Sequence, residues 1–460
     1  MDITNQFDVA MQRIRELAGT KSQSSGGLRL ALAFSGGLDS AVLLRLCSAW
    51  ARQHQVYLVA LHVHHGLSAN ADHWAQHCQE QCAQQQVQYE VAHIQLGATG
   101  EDGVEATARS KRYAALGVLC AKHQIDVLLT AHHQDDQAET ILLQLLRGSG
   151  VAGLCGMQQC HQADQLLGST SLLLARPLLD VMRSELEHYA TNNTVLHIDD
   201  ESNQDPRYLR NALRLKVMPL LAEYFPGYQT RLGRSAQHAQ SSLELLEQLA
   251  HHDFQQCLIS PESAILDATR LEALPDARID HVLRFWIAAH HRKMPSSARL
   301  AEIRKQLMTA KNDARVTVKH GDLELHRYRQ HLSIATFVSQ PPSAQEFVWS
   351  GEASMAFPAF AGTLTVTRAE GEPGIRRGWL MEKKLAIRLR QGGERLKLAA
   401  NRPTRDMKSH YQTLGIPYWQ RERLPFVFAG SVLLFAAGVG VHGPFLELGD
   451  DCVKLNWVPD

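Results

Sequence analysis

Short apolar runs alternate with longer amphipathic segments over the first 150 residues of the chain. The apolar runs have the length and composition of buried β-strands and lie at 28–34, 56–66, 87–96 and 125–133. The segments between and after them carry apolar residues at helical spacing and lie at 39–53, 71–86, 103–124 and 135–147. Strands that alternate with helices predict an α/β fold, a doubly wound parallel sheet covered on both faces. Ligands bind such sheets beyond the carboxyl ends of the strands.

The pattern becomes helical after about residue 220. A long amphipathic helix is predicted at 228–258, and helical segments continue at 281–311 before short strands begin near residue 315. A Pro-Pro-Ser stretch at 341–343 indicates a linker. We therefore predict a catalytic α/β domain at 1–220 and a mostly helical accessory domain at 225–345.

A small β-rich domain is predicted at 375–460. Its most apolar stretch, 425–441, contains three glycines and is shorter than the ~20 residues that a membrane span needs. Two buried strands joined by a turn are predicted there instead. The N-terminus is amphipathic and acidic early, unlike a signal peptide. We therefore expect a cytoplasmic protein without a membrane partner.

Charge is distributed unevenly along the chain. The whole sequence has 47 basic and 47 acidic side chains. The segment 381–424 contains eleven basic and four acidic residues, a net charge of +7 that leaves −7 for the remainder. A basic segment in an otherwise acidic chain indicates a polyanionic partner, with an ordinary solvated surface as the alternative.

The stretch "FSGGLDS" (34–40) ends the first predicted strand and begins the first predicted helix of the sheet. Free N–H groups and the positive helix end at such a junction favour an anion, and two glycines leave room for a phosphate. No lysine is available to reach a γ-phosphate, and Asp39 would repel a triphosphate unless a divalent cation lay between them. We therefore infer Mg²⁺ on Asp39 and a pyrophosphate leaving group, with a glycine turn and an N-capping acid as the alternative. The predicted ATP-binding residues are Ser35, Gly36, Gly37, Leu38, Asp39 and Ser40.

The motif at 35–40 resembles the signature of the N-type ATP pyrophosphatases, the PP-loop enzymes, whose fold is like that of the adenine nucleotide alpha hydrolases. A longer stretch, "TAHHQDDQAETILLQLLRGSGVAGLCGM" (130–157), resembles the second signature of the tRNA(Ile)-lysidine synthetase family. Further stretches similar to this family are "LHVHHGL" (61–67), "EATARSKRY" (105–113), "ARPLL" (175–179), "DDESNQDPRYLRNALR" (199–214), "IRLRQGGERLKL" (387–398) and "LGIPYWQRERLPFVF" (414–428).

Resemblance to this family implies a ligase that joins free L-lysine to C2 of the wobble cytidine, position 34, of the isoleucine tRNA with a CAU anticodon. The cytidine oxygen attacks the α-phosphate of ATP, pyrophosphate leaves, and the lysine ε-amino group then displaces AMP. The codon and amino-acid identity of the tRNA change from methionine to isoleucine. ATP and Mg²⁺ are the implied cofactors, and the oligomeric state stays open, a homodimer included.

Titratable residues crowd the junction between the fourth predicted strand and its helix. They are His132, His133, Asp135, Asp136 and Glu139. The favoured hypothesis is that Asp136 and Glu139 hold Mg²⁺ or the incoming amine, while His132 contacts the reacting phosphate. Similarity to the family motif implies that Arg112 stabilises charge on the α-phosphate. The predicted catalytic residues are Asp39, Arg112, His132, Asp136 and Glu139, with Asp39 and Asp136 as the magnesium ligands.

Two other interpretations of this cluster stay open, a zinc hydrolase and a solvated capping cluster. Zinc sites usually have a His-x₃-His or a Cys/His ligand set, and no second such element accompanies the cluster. The eight cysteines contain no Cys-x-x-Cys pair either. Zinc chemistry therefore lacks its usual sequence spacing.

The basic C-terminal segment is predicted to bind tRNA through phosphate contacts and stacking. The predicted contacts are Arg388, Arg390, Arg395, Lys397, Trp419 and Arg421. The aromatic residues of this segment fit the core of the small β-rich domain equally well.

Two other functions are compatible with parts of the sequence. A sulfur-inserting PP-loop tRNA enzyme would need a Cys-x-x-Cys motif or a pair of catalytic cysteines, and the former is missing. A non-enzymatic tRNA-binding protein would not need all five predicted catalytic residues, which are present. The sequence therefore favours the lysine-ligating enzyme.

Overall fold

A computed structural model describes residues 2–19, 27–64, 66, 70–95, 104–169, 171–198, 207, 209–261, 264–290, 294–309, 316–336, 341–399 and 401–459, except the side chains of 104–106 and 165. The chain divides into two compact units, Met1–Leu249 and Ala250–Asp460. Most of the predicted motif at 199–214 before Leu209 lies outside the described residues.

The first unit contains a six-stranded sheet in the order β3-β2-β1-β4-β6-β5. Its strands are β1 (Arg29–Ala33), β2 (Tyr57–His64), β3 (Gln88–His93), β4 (Val127–Leu129), β5 (Cys160–Gln162) and β6 (Leu173–Ala175). Five strands are parallel, and β5 pairs antiparallel with β6 at the edge. The strand order reverses between β1 and β4, which is the place where doubly wound sheets bind ligands.

Helices cover both faces of this sheet. The helices up to residue 257 are α1 (Ile3–Gly19), α2 (Leu38–His54), α3 (Ala71–Gln84), α4 (Val104–Lys122), α5 (Gln134–Leu146), α6 (Val151–Leu154), α7 (Asp164–Leu167), α8 (Arg183–Asn192), α9 (Leu209–Ala212), α10 (Met218–Tyr224) and α11 (Tyr228–Cys257). Helices α1, α2, α3 and α8 pack in the core on one face of the sheet, and α4 and α7 pack in the core on the other. A π-helical turn, Leu213–Val217, joins α9 to α10. Because side chains alternate along a strand, Leu30 and Leu32 of β1 enter one core and Ala31 enters the other. The predicted fold class is confirmed.

The first part of the second unit is a four-stranded antiparallel sheet packed against helices. Its strands are β7 (Leu266–Asp267), β8 (Val316–His320), β9 (Leu323–Tyr328) and β10 (His331–Thr336), in the order β7-β10-β9-β8. Its helices are α12 (Ala268–Glu272), α13 (Asp276–Ala288) and α14 (Ser297–Met308). Trp286 and Ile303 lie in the core between helices and sheet. Strands β8, β9 and β10 lie at 316–336, where short strands are predicted to begin near residue 315.

The last part of the second unit is rich in β-structure, as predicted. Its strands are β11 (Gln345–Val348), β12 (Ser354–Phe357), β13 (Gly362–Arg368), β14 (Ile375–Arg376), β15 (Lys384–Arg388), β16 (Arg395–Leu396), β17 (Arg405–Asp406), β18 (Phe426–Ala429), β19 (Val432–Ala436), β20 (Gly440–Val441) and β21 (Cys452–Pro459). Its short helices are α15 (Arg377–Met381), α16 (Met407–Thr413) and α17 (Tyr418–Arg421).

The apolar stretch at 425–441 forms a hairpin rather than a membrane span. Strands β18 and β19 pair antiparallel across a turn at Gly430, whose φ is +61°. Among the helices of the described residues, none has the length and apolarity that a membrane crossing requires. The predicted pair of buried strands is therefore confirmed.

Candidate active site

The loop between β1 and α2 has the conformation of an anion-binding turn. Gly36 has φ +86°, a backbone region that side chains disfavour, and an added Cβ would lie 2.9 Å from Cys78 Sγ. Gly37 precedes α2 as its N-cap and offers no side chain to bind the first-turn N–H groups. Because the first N–H groups of a helix have no intrahelical partner, those of α2 remain available to an oxyanion.

Two serines brace the same loop. Ser40 Oγ donates a hydrogen bond to the Gly37 carbonyl at 2.9 Å, and its oxygen lies 3.1 Å from Ser35 Oγ. Ser40 is buried and Ser35 is exposed. Ser40 therefore fixes the turn, while the exposed Ser35 hydroxyl is accessible to a ligand that binds at the loop. Leu38, another predicted ATP contact, begins α2 and is half-buried.

The buried His133 brings the loop together with helix α5. Its Nε2 lies 3.7 Å from Asp39 Oδ2 and 3.3 Å from Asp136 Oδ2, and its Nδ1 lies 3.7 Å from Asp135 Oδ2. Burial alone would lower the pKa of His133, but Asp39, Asp136 and Asp135 outweigh it and the net pKa is raised. The three carboxylates therefore favour the protonated, positively charged form of His133.

Asp136 and Glu139 are each bound by two arginines. Arg210 donates to Glu139 Oε2 at 2.8 Å and to Asp136 Oδ1 at 3.1 Å. Arg214 donates to Glu139 Oε1 at 2.6 Å and to Asp136 Oδ1 at 3.1 Å. Burial opposes ionisation of Asp136, but His133 and the two arginines lower its pKa to about 2. Asp136 is thus held charged, and the arginines fix both carboxylates in place.

His132 is a neutral imidazole beside this network. Its Nδ1 lies 2.9 Å from Thr130 Oγ1, which fixes the ring, and burial lowers the pKa of His132 to about 3. Asp136 acts in the opposite direction, whereas Arg176, Arg210 and Arg109 add to the lowering. A neutral imidazole next to several arginines can donate a hydrogen bond to a phosphate oxygen without adding charge of its own.

Arg176 and Arg109 are close enough to His132 to lower its pKa. Arg109 and Arg112 are exposed on α4, and both lie over the Tyr113 ring. Arg176, at the end of β6, is 4% exposed, and its Nε has no hydrogen-bond partner among the described residues. The site therefore joins a carboxylate cluster to a cationic cluster through His132.

Asp39 and Asp136 are the residues predicted to bind magnesium. Asp39 Oδ2 faces His133, whereas Asp39 Oδ1 is buried without a hydrogen-bond partner among the described residues and is the oxygen left for a cation. No group of three or more His, Cys, Asp or Glu side chains in the described part of the chain is arranged to hold a metal ion by itself. The residues therefore fit a cation that takes its remaining ligands from phosphate and water, as Mg²⁺ does.

The C-terminal residues predicted to contact tRNA differ in accessibility. Arg395 is exposed, whereas Arg388, Arg390 and Lys397 are half-buried. Arg388 lies over the Phe428 ring, with Cζ 4.0 Å from the ring centroid. Three further basic residues, Arg402, Arg405 and Lys408, are exposed in the same segment.

Trp419 and Arg421 lie inside the second unit instead. They are 7% and 5% exposed, and Trp419 stacks on His326 of β9 with 4.5 Å between ring centroids. Arg421 donates to the Tyr328 hydroxyl at 3.3 Å and to the Ile416 carbonyl at 2.6 Å. Their observed contacts attach α17 to the four-stranded sheet, so the exposed basic surface is formed by the other residues.

Several residues of the site were not singled out from the sequence. Arg183 Nη1 lies 3.8 Å from Asp39 Oδ2, and the backbone N–H of Arg183 donates to Asp135 Oδ2 at 2.9 Å. Gln229 of α11 donates to Asp135 Oδ1 at 3.1 Å. Arg210 and Arg214 complete this set of partners, and only their place in the family-like stretch 199–214 could have indicated them.

Residues 8–221 match the PP-loop domain family, which defines the class of protein. Residues 266–333 match the TilS substrate binding domain, and residues 385–457 match the TilS substrate C-terminal domain. Three similar curated proteins are each named tRNA(Ile)-lysidine synthase. The protein from Burkholderia pseudomallei (strain K96243) is 35% identical over 94% of this chain and 93% of its own length.

The other two proteins cover similar shares. The protein from Ralstonia nicotianae is 38% identical over 95% of this chain and 94% of its own. The protein from Salmonella heidelberg is 37% identical over 93% of this chain and 96% of its own length. The chain belongs to the tRNA(Ile)-lysidine synthase family, which confirms the predicted family and its class of enzyme, an ATP-using ligase that acts on tRNA.

Proposed function

We propose that the protein ligates free L-lysine to C2 of the wobble cytidine, position 34, of the isoleucine tRNA with a CAU anticodon. The observation that carries this proposal is the meeting of the loop carboxylate Asp39 with Asp136 on His133. This arrangement joins an ATP-phosphate loop to a fixed carboxylate and arginine network that can receive a second substrate.

In the first step, the cytidine oxygen attacks the α-phosphorus of ATP, a P–O bond forms, and pyrophosphate leaves. The N–H groups of α2 and Ser35 hold phosphate oxygens, while Arg112 stabilises the charge on the α-phosphate. The neutral His132 contacts the same phosphate. Mg²⁺, held by Asp39 and Asp136, would neutralise charge on the leaving pyrophosphate.

In the second step, the lysine ε-amino nitrogen forms a bond to C2 and AMP leaves with the activated oxygen. The amine must lose a proton before it attacks. A carboxyl group with a pKa of about 2 is a weak base, so Asp136 is suited to hold a cation rather than to accept this proton. We assign Asp136 and Glu139 to binding and orienting the charged groups of the site.

The sulfur-inserting alternative is less well supported. All eight cysteines are free thiols, and seven of them are buried. Burial raises the pKa of Cys78, Cys82 and Cys120 to about 12. Because the thiolate is the nucleophile, these three cysteines are poorly suited to carry sulfur.

The tRNA contacts are proposed for the basic part of the second unit. Arg388, Arg390, Arg395 and Lys397 lie in the matched C-terminal domain, and the neighbouring exposed arginines extend this cationic surface. Such a surface attracts the phosphate backbone without reading sequence.

The proposed function is tested by mass spectrometry of nucleosides from tRNA incubated with the protein, ATP and isotope-labelled lysine. The expected product is a cytidine that has gained labelled lysine, with one AMP and one pyrophosphate per modified base. A tRNA whose wobble base is uridine is the matched control and should stay unmodified. Formation of ADP, or of a thiolated base when a sulfur donor replaces lysine, would contradict the proposal.

A further inference from the structure

Large apolar side chains lie exposed at the end of the π-helical turn, on α10 and in the turn that follows α10. Val217 is 42% exposed, Leu220 56%, Tyr224 71% and Phe225 58%. We call these four residues the 217–225 surface. Contiguous apolar side chains of this size on a protein surface mark a binding site more often than scattered single ones do.

The 217–225 surface is fixed to the active site through its own helices. Tyr228, three residues beyond Phe225, is buried in one cluster with Ala138 of α5 and Met218 of α10. Gln229 donates to Asp135 Oδ1 at 3.1 Å. The exposed aromatic turn is therefore attached, through Tyr228 and Gln229, to the helix that carries Asp136 and Glu139.

The turn itself is held in the conformation that exposes the aromatic rings. Arg231 Nη2 donates to the Phe225 carbonyl at 3.0 Å and to the Pro226 carbonyl at 2.8 Å, and Gly227 has φ +74°. Two rigid rings presented to solvent on a fixed backbone form a stacking platform at small entropic cost.

The charge around the platform fits a nucleic acid. Segment 209–234 contains five basic residues and one acidic residue, Glu223. Arg210 and Arg214 are neutralised by Asp136 and Glu139, so Lys216, Arg231 and Arg234 supply the positive charge near the platform. A second copy of the chain would present the same positive charge and be repelled, whereas a polyanion is attracted. Base–aromatic stacking next to a cationic surface is the usual way in which proteins hold single-stranded RNA.

We propose that Tyr224 and Phe225 stack on unpaired anticodon-loop bases that flank the target cytidine. This inference rests on the proposed function for the identity of the RNA. The platform would hold the neighbours of the target base while that base enters the site, which lowers the energy needed to separate it from its stack.

The test uses the full-length protein and an isoleucine tRNA with 2-aminopurine in place of the adenosine next to the target cytidine. Stacking quenches this fluorophore, so binding is followed without turnover. The double variant Tyr224→Ala/Phe225→Ala should give a complex with brighter fluorescence and a Kd for tRNA about tenfold higher than that of the wild type. Tyr224→Phe, which keeps the ring, should behave like the wild type.

Two further readouts separate stacking from other causes. Leu245→Ala removes another exposed apolar side chain, on α11, and should leave Kd and fluorescence unchanged. The double variant removes no charge, so the slope of log Kd against log salt should equal that of the wild type. The circular dichroism melting curve checks that the variant is folded.

Each outcome assigns the surface. Unchanged Kd and fluorescence in the folded double variant would overturn the stacking proposal. A change of mass in light scattering, with tRNA binding unaltered, would also overturn it and assign the surface to a second copy of the chain. A wild-type protein that shows the fluorescence change but makes no lysine-modified cytidine would leave the platform supported and the proposed function refuted.

Discussion

Arg214 binds Glu139 with two hydrogen bonds, from Nε to Oε1 at 2.6 Å and from Nη2 to Oε2 at 3.1 Å. Glu139 is 1% exposed, so Arg214 and Arg210 replace nearly all of its contact with water. Removing one partner leaves a buried charge only partly compensated. We expect Arg214→Ala to lower the free energy of unfolding by about 2–4 kcal/mol.

Urea unfolding followed by circular dichroism measures this loss. Arg214→Lys keeps the charge but cannot make the planar two-bond contact, so its loss should fall between those of wild type and alanine variant. Arg234→Ala, at an exposed arginine of α11, is the matched control and should change stability by less than about 0.5 kcal/mol. Equal losses in Arg214→Ala and Arg234→Ala would contradict a stabilising role for this pair.

Asp39→Asn should abolish tRNA-dependent release of pyrophosphate while leaving the affinity for tRNA nearly unchanged. The amide keeps the shape of the side chain but loses the negative charge that we assign to Mg²⁺ binding. The measurement is a pyrophosphate release assay beside a tRNA binding titration. Asp72→Asn, at the corresponding first turn of α3, should retain activity. Normal turnover by Asp39→Asn would refute the assigned role.

The sequence predicted the parts of the site that depend on local order. The loop at 35–40 and the cluster at 132–139 each follow a strand, and the parallel sheet brings both strand ends to one edge, which the strand pattern alone predicts. The arginine partners depend on contacts across the fold. Arg210 and Arg214 lie more than 70 residues from Asp136 and Glu139, and no periodicity relates those positions.

The packing of α17 shows a second limit. A basic and aromatic stretch predicts a nucleic-acid-binding surface and a small hydrophobic core equally well, because aromatic and arginine side chains occur in both. The stacking of Trp419 on His326 depends on a strand 93 residues earlier, and only the tertiary structure shows it. The predictions for Arg388, Arg390, Arg395 and Lys397 stay predictions.

Gly36→Ala should impair both ATP use and stability. At φ +86° an alanine is strained, and its Cβ would also lie 2.9 Å from Cys78 Sγ and 3.1 Å from Ile198 Cδ1. We expect a loss of about 1–3 kcal/mol in the free energy of unfolding and a higher KM for ATP.

Gly148→Ala is the matched control for backbone strain. Gly148 has φ +67°, and an added Cβ would meet nothing within 4 Å, so its cost should come from strain alone. Adding Cys78→Ala to Gly36→Ala should recover the part of the loss that comes from the clash. If Gly36→Ala costs no more than Gly148→Ala, crowding by Cys78 plays no part.

The stability of the second unit should fall when the pH is lowered from about 6.5 toward 4. Burial lowers the pKa of His326 to about 4, with Glu324 opposing and Arg423 adding to the shift. An unfolded imidazole has a pKa near 6.5, so the unfolded chain takes up the proton first. The contribution of neutral His326 to the free energy of unfolding is therefore present above pH 6.5. It is lost toward pH 4, at up to about 1.4 kcal/mol per pH unit.

Five of the seven tryptophans lie in this unit, so urea unfolding followed by their fluorescence reports on it. His326→Phe keeps a ring against Trp419 but cannot be protonated, so its stability should decline less between pH 7 and pH 5 than that of the wild type. His331→Gln, at an exposed position of the neighbouring strand, should keep the wild-type decline. Equal slopes for wild type and His326→Phe would show that His326 does not carry the effect.

Reversing the charge of Arg395 and Arg402 should weaken tRNA binding and reduce its dependence on salt. Both side chains are exposed in the +7 segment, and neither belongs to the catalytic cluster. Each lost phosphate contact lowers the slope of log Kd against log salt by about 0.7–0.9. We therefore expect Arg395→Glu/Arg402→Glu to flatten the slope by at least about 1.4 and to raise KM for tRNA with little change in kcat.

The matched control is Arg13→Glu/Arg15→Glu, which replaces two exposed arginines of α1 and makes the same change in net charge. If both pairs flattened the slope equally, net charge rather than a local tRNA surface would explain the binding.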